Sequence, residues 1–103
     1  MTTAAPVRRV LEAPTTLGLP TREAFRREAN AALDALPEGT GQLVVDLGGT
    51  RDVDSSGLSA LVMVQRHAAD RRQQVLLRGV GPELEYLLVL TKLDDLFLFE
   101  AAA

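Results

Sequence analysis

Two short apolar runs dominate the middle of the chain, Leu43-Val44-Val45-Asp46-Leu47 and Val75-Leu76-Leu77-Arg78-Gly79-Val80. Each is aliphatic, rich in β-branched residues and bounded by turn formers, the pattern of a buried strand. Between them Leu58, Leu61, Val62, Gln65 and Ala69 repeat with a helical period. A strand, a helix and a second strand in that order favour parallel pairing, because a parallel neighbour needs a long crossover and a helix supplies it. This feature directs the chain toward an α/β layer fold.

The flanks extend the alternation. Thr21 stands where an N-cap would, Glu23 complements the helix dipole, and Phe25, Ala29, Ala32, Leu33 and Leu36 form one apolar stripe. Arg22, Arg26, Arg27 and Asp34 take the wet side, and Pro37, Gly39 and Gly41 end the helix. Upstream, Val7–Glu12 reads as a strand too short and too charged for a central position. Leu17, Leu19 and Pro20 suggest a short extended lead into the helix. Downstream, Pro82 opens a third helix with Leu84, Leu87, Leu88 and Thr91 on one face. Leu96–Phe99 is expected as a last short strand or a packed tail. Tyr86, Val89 and Leu90 leave that helix apolar on a second face, which suits a partner or dimer contact unless the tail folds over them; the tail is the simpler expectation.

The length of 103 residues suits one domain spanning 1–103, with 1–12 as a weak N-terminal strand or arm and 101–103 as a frayed tail. No leader pattern opens the chain at Met1–Pro6, and no apolar run approaches the roughly 20 residues of a membrane span. A cytoplasmic domain with no direct membrane contact is the expectation. With 11 basic and 14 acidic residues the net charge is −3, a poor footprint for nucleic acid. There is no Cys and one His, so thiol chemistry and any site that needs two histidines are excluded. Composition points away from an enzyme and toward an interaction domain that needs no cofactor.

The informative junction lies between the strand Leu43–Leu47 and the helix Gly57–Ala69: Arg51-Asp52-Val53-Asp54-Ser55-Ser56-Gly57. Its simplest role is capping, since Asp and Ser oxygens accept the orphan N–H groups of a helix start. A calcium loop fails, because Met63 occupies the position of the closing carboxylate and Ala60 the ninth position. A nucleophilic serine fails as well. The glycine spacing of a nucleophile elbow is absent, and His67 lies about three turns along the same helix. A receiver-like phosphoaspartate at Asp46 lacks its acid pair, and the one Lys, Lys92, comes late. His67 is expected at the surface or its boundary.

A phosphoacceptor serine remains. Phosphate at a helix N-terminus meets free N–H groups and the positive end of the dipole. It would add about −1.5 to −2 charges beside Asp52 and Asp54, a large change for a docking surface. Ser59 and Met63 continue the surface begun by Ser55 and Ser56, with Met63 suited to either a core or an adaptable interface.

The stretch Leu43–Leu58, an apolar strand ending in Asp-Leu followed by Asp-Ser-Ser-Gly-Leu at a helix start, resembles the signature of STAS domains. That family is named for sulfate transporters and anti-sigma factor antagonists. The likeness continues through Val75–Val80, Gly81-Pro82 and Leu90-Thr91-Lys92-Leu93, where Lys92 stands in place of a usual Gly, and covers roughly residues 17–100. It implies a small mixed β-sheet with helices packed mainly on one side. It also implies Ser55 as the phosphoacceptor, and the surface around it, Asp52, Asp54, Ser56, Gly57, Ser59 and Met63, is the expected partner-binding face. By the same likeness Asp54 flanks the acceptor and Gly57 admits a partner's backbone. The partner implied is an anti-sigma factor that is itself a serine kinase, bound by the unphosphorylated form and released by phosphorylation. The thin N-terminal part also resembles the accessory subunit of phospholipid-transport ABC systems, whose junction grips the ATPase subunit.

Overall fold

The computed structural model describes residues 6–100. Chain order is β1 (Val7–Glu12), β2 (Thr16–Leu17), α1 (Arg22–Ala35), β3 (Gly41–Asp46), β4 (Asp52–Val53) and α2 (Ser55–Asp70). Then follow β5 (Gln74–Arg78), α3 (Pro82–Leu90), a 3-10 turn (Asp94–Leu96) and β6 (Leu98–Glu100). The frayed tail expected at 101–103, and the part of the expected arm before Pro6, lie outside the described residues.

The two apolar runs form the centre of a four-stranded sheet of order β1-β3-β5-β6. Leu43 pairs with Val75 and Val45 with Leu77, so both put alternate side chains on one face, where helices cover them. The charged β1 takes an edge, as its Arg8, Arg9 and Glu12 require. Every ladder among the described residues is parallel, including the separate two-residue pairing of β2 with β4. The α/β class and the parallel crossovers therefore stand, whereas no antiparallel pair makes the sheet mixed. The connection shows this locally: after β1 the chain runs on through Ala13 into β2 and α1, the long crossover that a parallel neighbour needs.

All three helices contribute to one core with the sheet's inner face. Phe25, Ala29, Ala32 and Leu33 of α1 meet Ala60, Leu61, Val64 and Ala68 of α2, with Leu84 and Leu88 of α3 and Phe97 completing the cluster. Each fully buried Leu or Val here is worth about 1.5–3 kcal/mol relative to exposure. Buried Gln73 closes α1, its amide donating to the carbonyls of Leu33 (2.8 Å) and Leu36 (3.0 Å) at the helix end. The stripe expected on α1 is the buried one. On α2 it is displaced by one residue, to Gly57, Ala60, Leu61, Val64 and Ala68, while Leu58, Val62 and Gln65 are half-buried and Ala69 is exposed. Small residues at 57, 60 and 68 let α2 approach its neighbours closely, and hydrophobic counting gives such residues little weight.

The opposite face of the sheet carries a row in register, Val10, Val44, Leu76 and Leu98. Its central pair is buried and its outer pair half-exposed. Glu100 accepts from Arg8 and Arg78, both at 3.2 Å, joining two edges of the sheet.

The chain end corrects one expectation. Leu98–Glu100 pairs with β5 as a strand and does not fold over α3, so Tyr86, Val89 and Leu90 stay exposed. Phe97 enters the core at the same point, which fixes the segment against the sheet edge.

Candidate functional site

The loop from β3 to α2 is stitched to a distant segment before the site begins. Asp46 accepts from the Gly48 N–H at 2.9 Å and so turns the chain out of the sheet. Thr50 then donates its hydroxyl to the Pro14 carbonyl (2.8 Å), and the Arg51 N–H reaches the Thr15 carbonyl (2.7 Å). The Asp54 N–H donates to the Leu17 carbonyl at 3.2 Å. Residues 14–19 thus form a seat under the serine-bearing helix.

Asp54 is the N-cap of α2. One carboxylate oxygen accepts from the Gly57 N–H at 2.9 Å and the other from the Leu19 N–H at 3.4 Å. These bonds, the Gly57 N–H foremost, hold its carboxyl below the usual aspartate range, with Leu19, Ser56 and the Arg22 charge adding to them against partial desolvation. Asp54 is therefore a structural clamp as well as a neighbour of Ser55.

Ser55, the first residue of α2, is exposed and directed away from the buried stripe. Ser56 leans toward α1, where it lines a shallow groove of about 250 Å³ with Arg22, Glu23, Arg26, Ser59, Ala60 and Met63. Glu23 is paired with Arg26 at 3.1 Å, and Met63 is 49% exposed. Ser55, Ser56, Ser59 and Met63 thus form one surface that continues along α2, and Asp52 is exposed on β4 just before it. Met63 takes the surface of its two expected places.

Gly57 departs from its implied role. It is buried, and a Cβ there would strike the Leu17 carbonyl oxygen and lie 2.7 Å from its carbon. Its missing side chain lets this chain's own backbone approach, not a partner's. His67 bridges the two helices, with Nε2 2.7 Å from Asp34 Oδ1. Thr21 occupies the N-cap position of α1, but its hydroxyl points back, donating to the Thr16 carbonyl at 2.7 Å. Leu17, Gly18, Leu19 and Arg22 belong to the site and were not expected there. Gly18 is confined by a side chain where Gly57 is confined by backbone, since a Cβ on it would strike the Asp54 carboxylate. The glycine was the available signal, although nothing local to it names Asp54 as its neighbour.

A second groove of about 250 Å³ flanks the loop on its other side, between Thr50, Arg51 and Val53 and the start of α3 at Gly81 and Pro82. Among the described residues no helix is long and apolar enough to cross a membrane.

The fold has counterparts in solved structures. An anti-sigma-factor antagonist (STAS) domain protein from Planctomyces limnophilus superposes with a TM-score of 0.77 at 19% identity, covering 91% of this chain and 81% of that one. The anti-sigma factor antagonist SpoIIAA in its unphosphorylated form gives 0.71 at 14% identity, over 99% and 86% of the two chains. The murine Slc26a9 anion transporter gives 0.78 at 16% identity, covering 98% of this chain but 17% of the transporter. Identities this low establish a shared fold. No curated protein matches the sequence. The family described as "Mlab, STAS domain" matches residues 1–100, so the chain belongs to the STAS domain family.

Proposed function

We propose that this STAS domain is a phosphoserine-switched binding module of the anti-sigma factor antagonist type. In this reading the surface Ser55–Ser56–Ser59–Met63 docks a kinase-type anti-sigma factor, with Asp52 and Asp54 beside the contact. Phosphorylation of Ser55 releases the partner. The supporting observation is the placement of Ser55, exposed at the first position of a capped helix and beside a groove that holds Arg22. A phosphate there would meet the positive end of the α2 dipole and change the charge of the docking surface in one step. The chain itself would be no enzyme, because the partner supplies the phosphoryl-transfer machinery. A cytoplasmic setting follows from a cytoplasmic kinase.

A second reading is favoured by the family match, whose description carries the name Mlab. There the same surface grips the ATPase subunit of a phospholipid-transport ABC system, and Ser55 is a contact residue that is never modified. One experiment separates the two. The chain is incubated with a co-encoded serine kinase and with a co-encoded ABC ATPase, and followed by intact mass and by pull-down. The antagonist reading expects a gain of one phosphate that is absent in Ser55→Ala, and weakened kinase binding in Ser55→Asp. Binding of the ATPase without phosphate gain overturns it in favour of the transporter reading.

A further inference from the structure

The third helix has two apolar faces, and the fold uses one. Leu84 and Leu88 point into the core. On the opposite side Tyr86, Val89 and Leu90 fall at i, i+3 and i+4 and are 66%, 56% and 64% exposed. Three large apolar side chains on one outward helix face make a patch that no other element among the described residues covers. Leu98–Glu100 does not cover it, because β6 lies along β5.

The charges around this face decide what can cover it. Glu83 and Glu85 flank Tyr86 in the first turn of α3, and Asp94 and Asp95 follow in the 3-10 turn that packs against the helix. Lys92, and Arg51 across a groove from Glu83, are the cations beside them, so the surroundings stay net acidic. A second copy docking face to face would bring the same four carboxylates against these, and an anionic lipid surface would be repelled likewise. A helix with an apolar stripe between rows of Lys and Arg has the complementary pattern. Its apolar residues would seat around Tyr86, and its cations would reach the carboxylate rim.

We propose that the outward face of α3, centred on Tyr86 and Leu90, is a docking surface for a basic amphipathic helix of a partner protein. The apolar trio carries affinity, as aromatic anchors do at the centre of an interface. The carboxylates set selectivity and the association rate. The proposal does not depend on Ser55 and stands or falls separately from the switch.

Tyr86 is the only tyrosine in a chain without tryptophan, so its emission reports on this one position. A display library of randomised helical peptides of about four turns is selected on the wild-type chain and counter-selected on Leu90→Ser. Enriched peptides should carry apolar residues at i, i+3 or i+4 with Lys and Arg at their flanks. A synthetic peptide of that sequence should change Tyr86 emission saturably and bind at least about tenfold more weakly to Leu90→Ser, to Glu83→Lys/Glu85→Lys and at high salt. Because residue 90 is exposed, Leu90→Ser should keep the wild-type urea midpoint, which is checked first. If that midpoint falls markedly, Leu90 is a packing residue and the docking face as drawn is wrong. No enrichment, enrichment of acidic or uncharged peptides, or Tyr86 emission that shifts with the chain's own concentration overturns the proposal. The last result would assign the face to a second copy.

Discussion

The starts of α2 and α3 stand on either side of the β3–α2 loop and are built in opposite ways. The α2 start is held by side chains and by a remote segment: Asp54 caps it, the Leu17 carbonyl binds the Asp54 N–H, and Gly57 lies flat on Leu17. The α3 start has a preset proline and, among the described residues, no side-chain cap; Leu84 and Leu88 hold the helix to the core. The outward residues differ in the same sense. Around Ser55 they are small and polar, whereas around Tyr86 they are large and apolar. Small polar side chains offer little burial to hold a helix start, so hydrogen bonds fix its place. An apolar face needs only to be turned outward, and two buried leucines suffice.

The sharpest way to break the contrast is to put a side chain at the α2 seat. Gly57→Val forces its Cβ into the Leu17 backbone, so α2 and residues 14–19 must separate. We expect a loss of about 3 kcal/mol in urea unfolding, at the upper end of overpacking effects. Gly81→Ala, before α3, meets no atom within 4 Å and should be close to neutral. Similar losses for the two would mean that the α2 seat is no tighter than the start of α3.

The two faces of α3 provide the next test. Leu88 is fully buried, and Leu88→Ala should lower stability by about 2–5 kcal/mol through lost burial and a residual cavity. Val89→Ser, one residue on, should stay within about 0.5 kcal/mol, as exposed substitutions do. Equal losses would show that the outward face already packs on something within the chain.

How much of this was legible in the sequence follows the same division. The strands β3 and β5, the stripe of α1 and the double-sided α3 rest on patterns confined to one element, and each was readable there. The placement of Ser55 at a helix start was readable too, from Asp-Ser-Ser-Gly. The seat beneath it was not. β2 and β4 are two residues each and pair across most of the first half of the chain, too short to register as periodicity. The phase of α2 was misread by one residue because Gly57, Ala60 and Ala68 pack by being small. The packed tail was misplaced since β-pairing of Leu98–Glu100 with Leu76–Arg78 competes with coverage of α3, and local pattern does not rank those two outcomes.

Titration tests the cap of α2 without perturbing packing. The Asp54 carboxyl lies below its ordinary range, chiefly through the Gly57 N–H. The folded state therefore binds that proton less readily than the unfolded chain. Its contribution is complete above the ordinary aspartate range and is lost as pH falls through the lowered value. Asp54→Asn keeps an acceptor for the cap but removes the charge. Thermal unfolding followed from neutral to acidic pH should therefore show a shallower acid decline in Asp54→Asn than in the parent. Parallel curves for Asp54→Asn and the parent would mean that the capping charge contributes nothing.

The smallest expected effect concerns helix ends, where the two regions agree. Both α2 and α3 finish with a residue in the left-handed region, Arg72 at φ 55° and Lys92 at φ 59°. After each, the next N–H reaches back to the helix, Gln73 to the Ala68 carbonyl and Leu93 to the Leu88 carbonyl, both at 2.8 Å. This is the ending for which glycine is favoured, and it gives the usual glycine at position 92 a physical cause. An L side chain in that conformation carries a steric cost that glycine avoids, partly offset by glycine's greater freedom in the unfolded chain. Lys92→Gly should therefore raise stability by about 1 kcal/mol in urea unfolding. Arg72→Gly should do the same, since neither side chain makes a hydrogen bond or ion pair among the described residues. A loss in Lys92→Gly alone would show that the lysine at the foot of α3 has a contact that the Arg72 side chain lacks. That outcome would make the ends of the two helices as different as their beginnings.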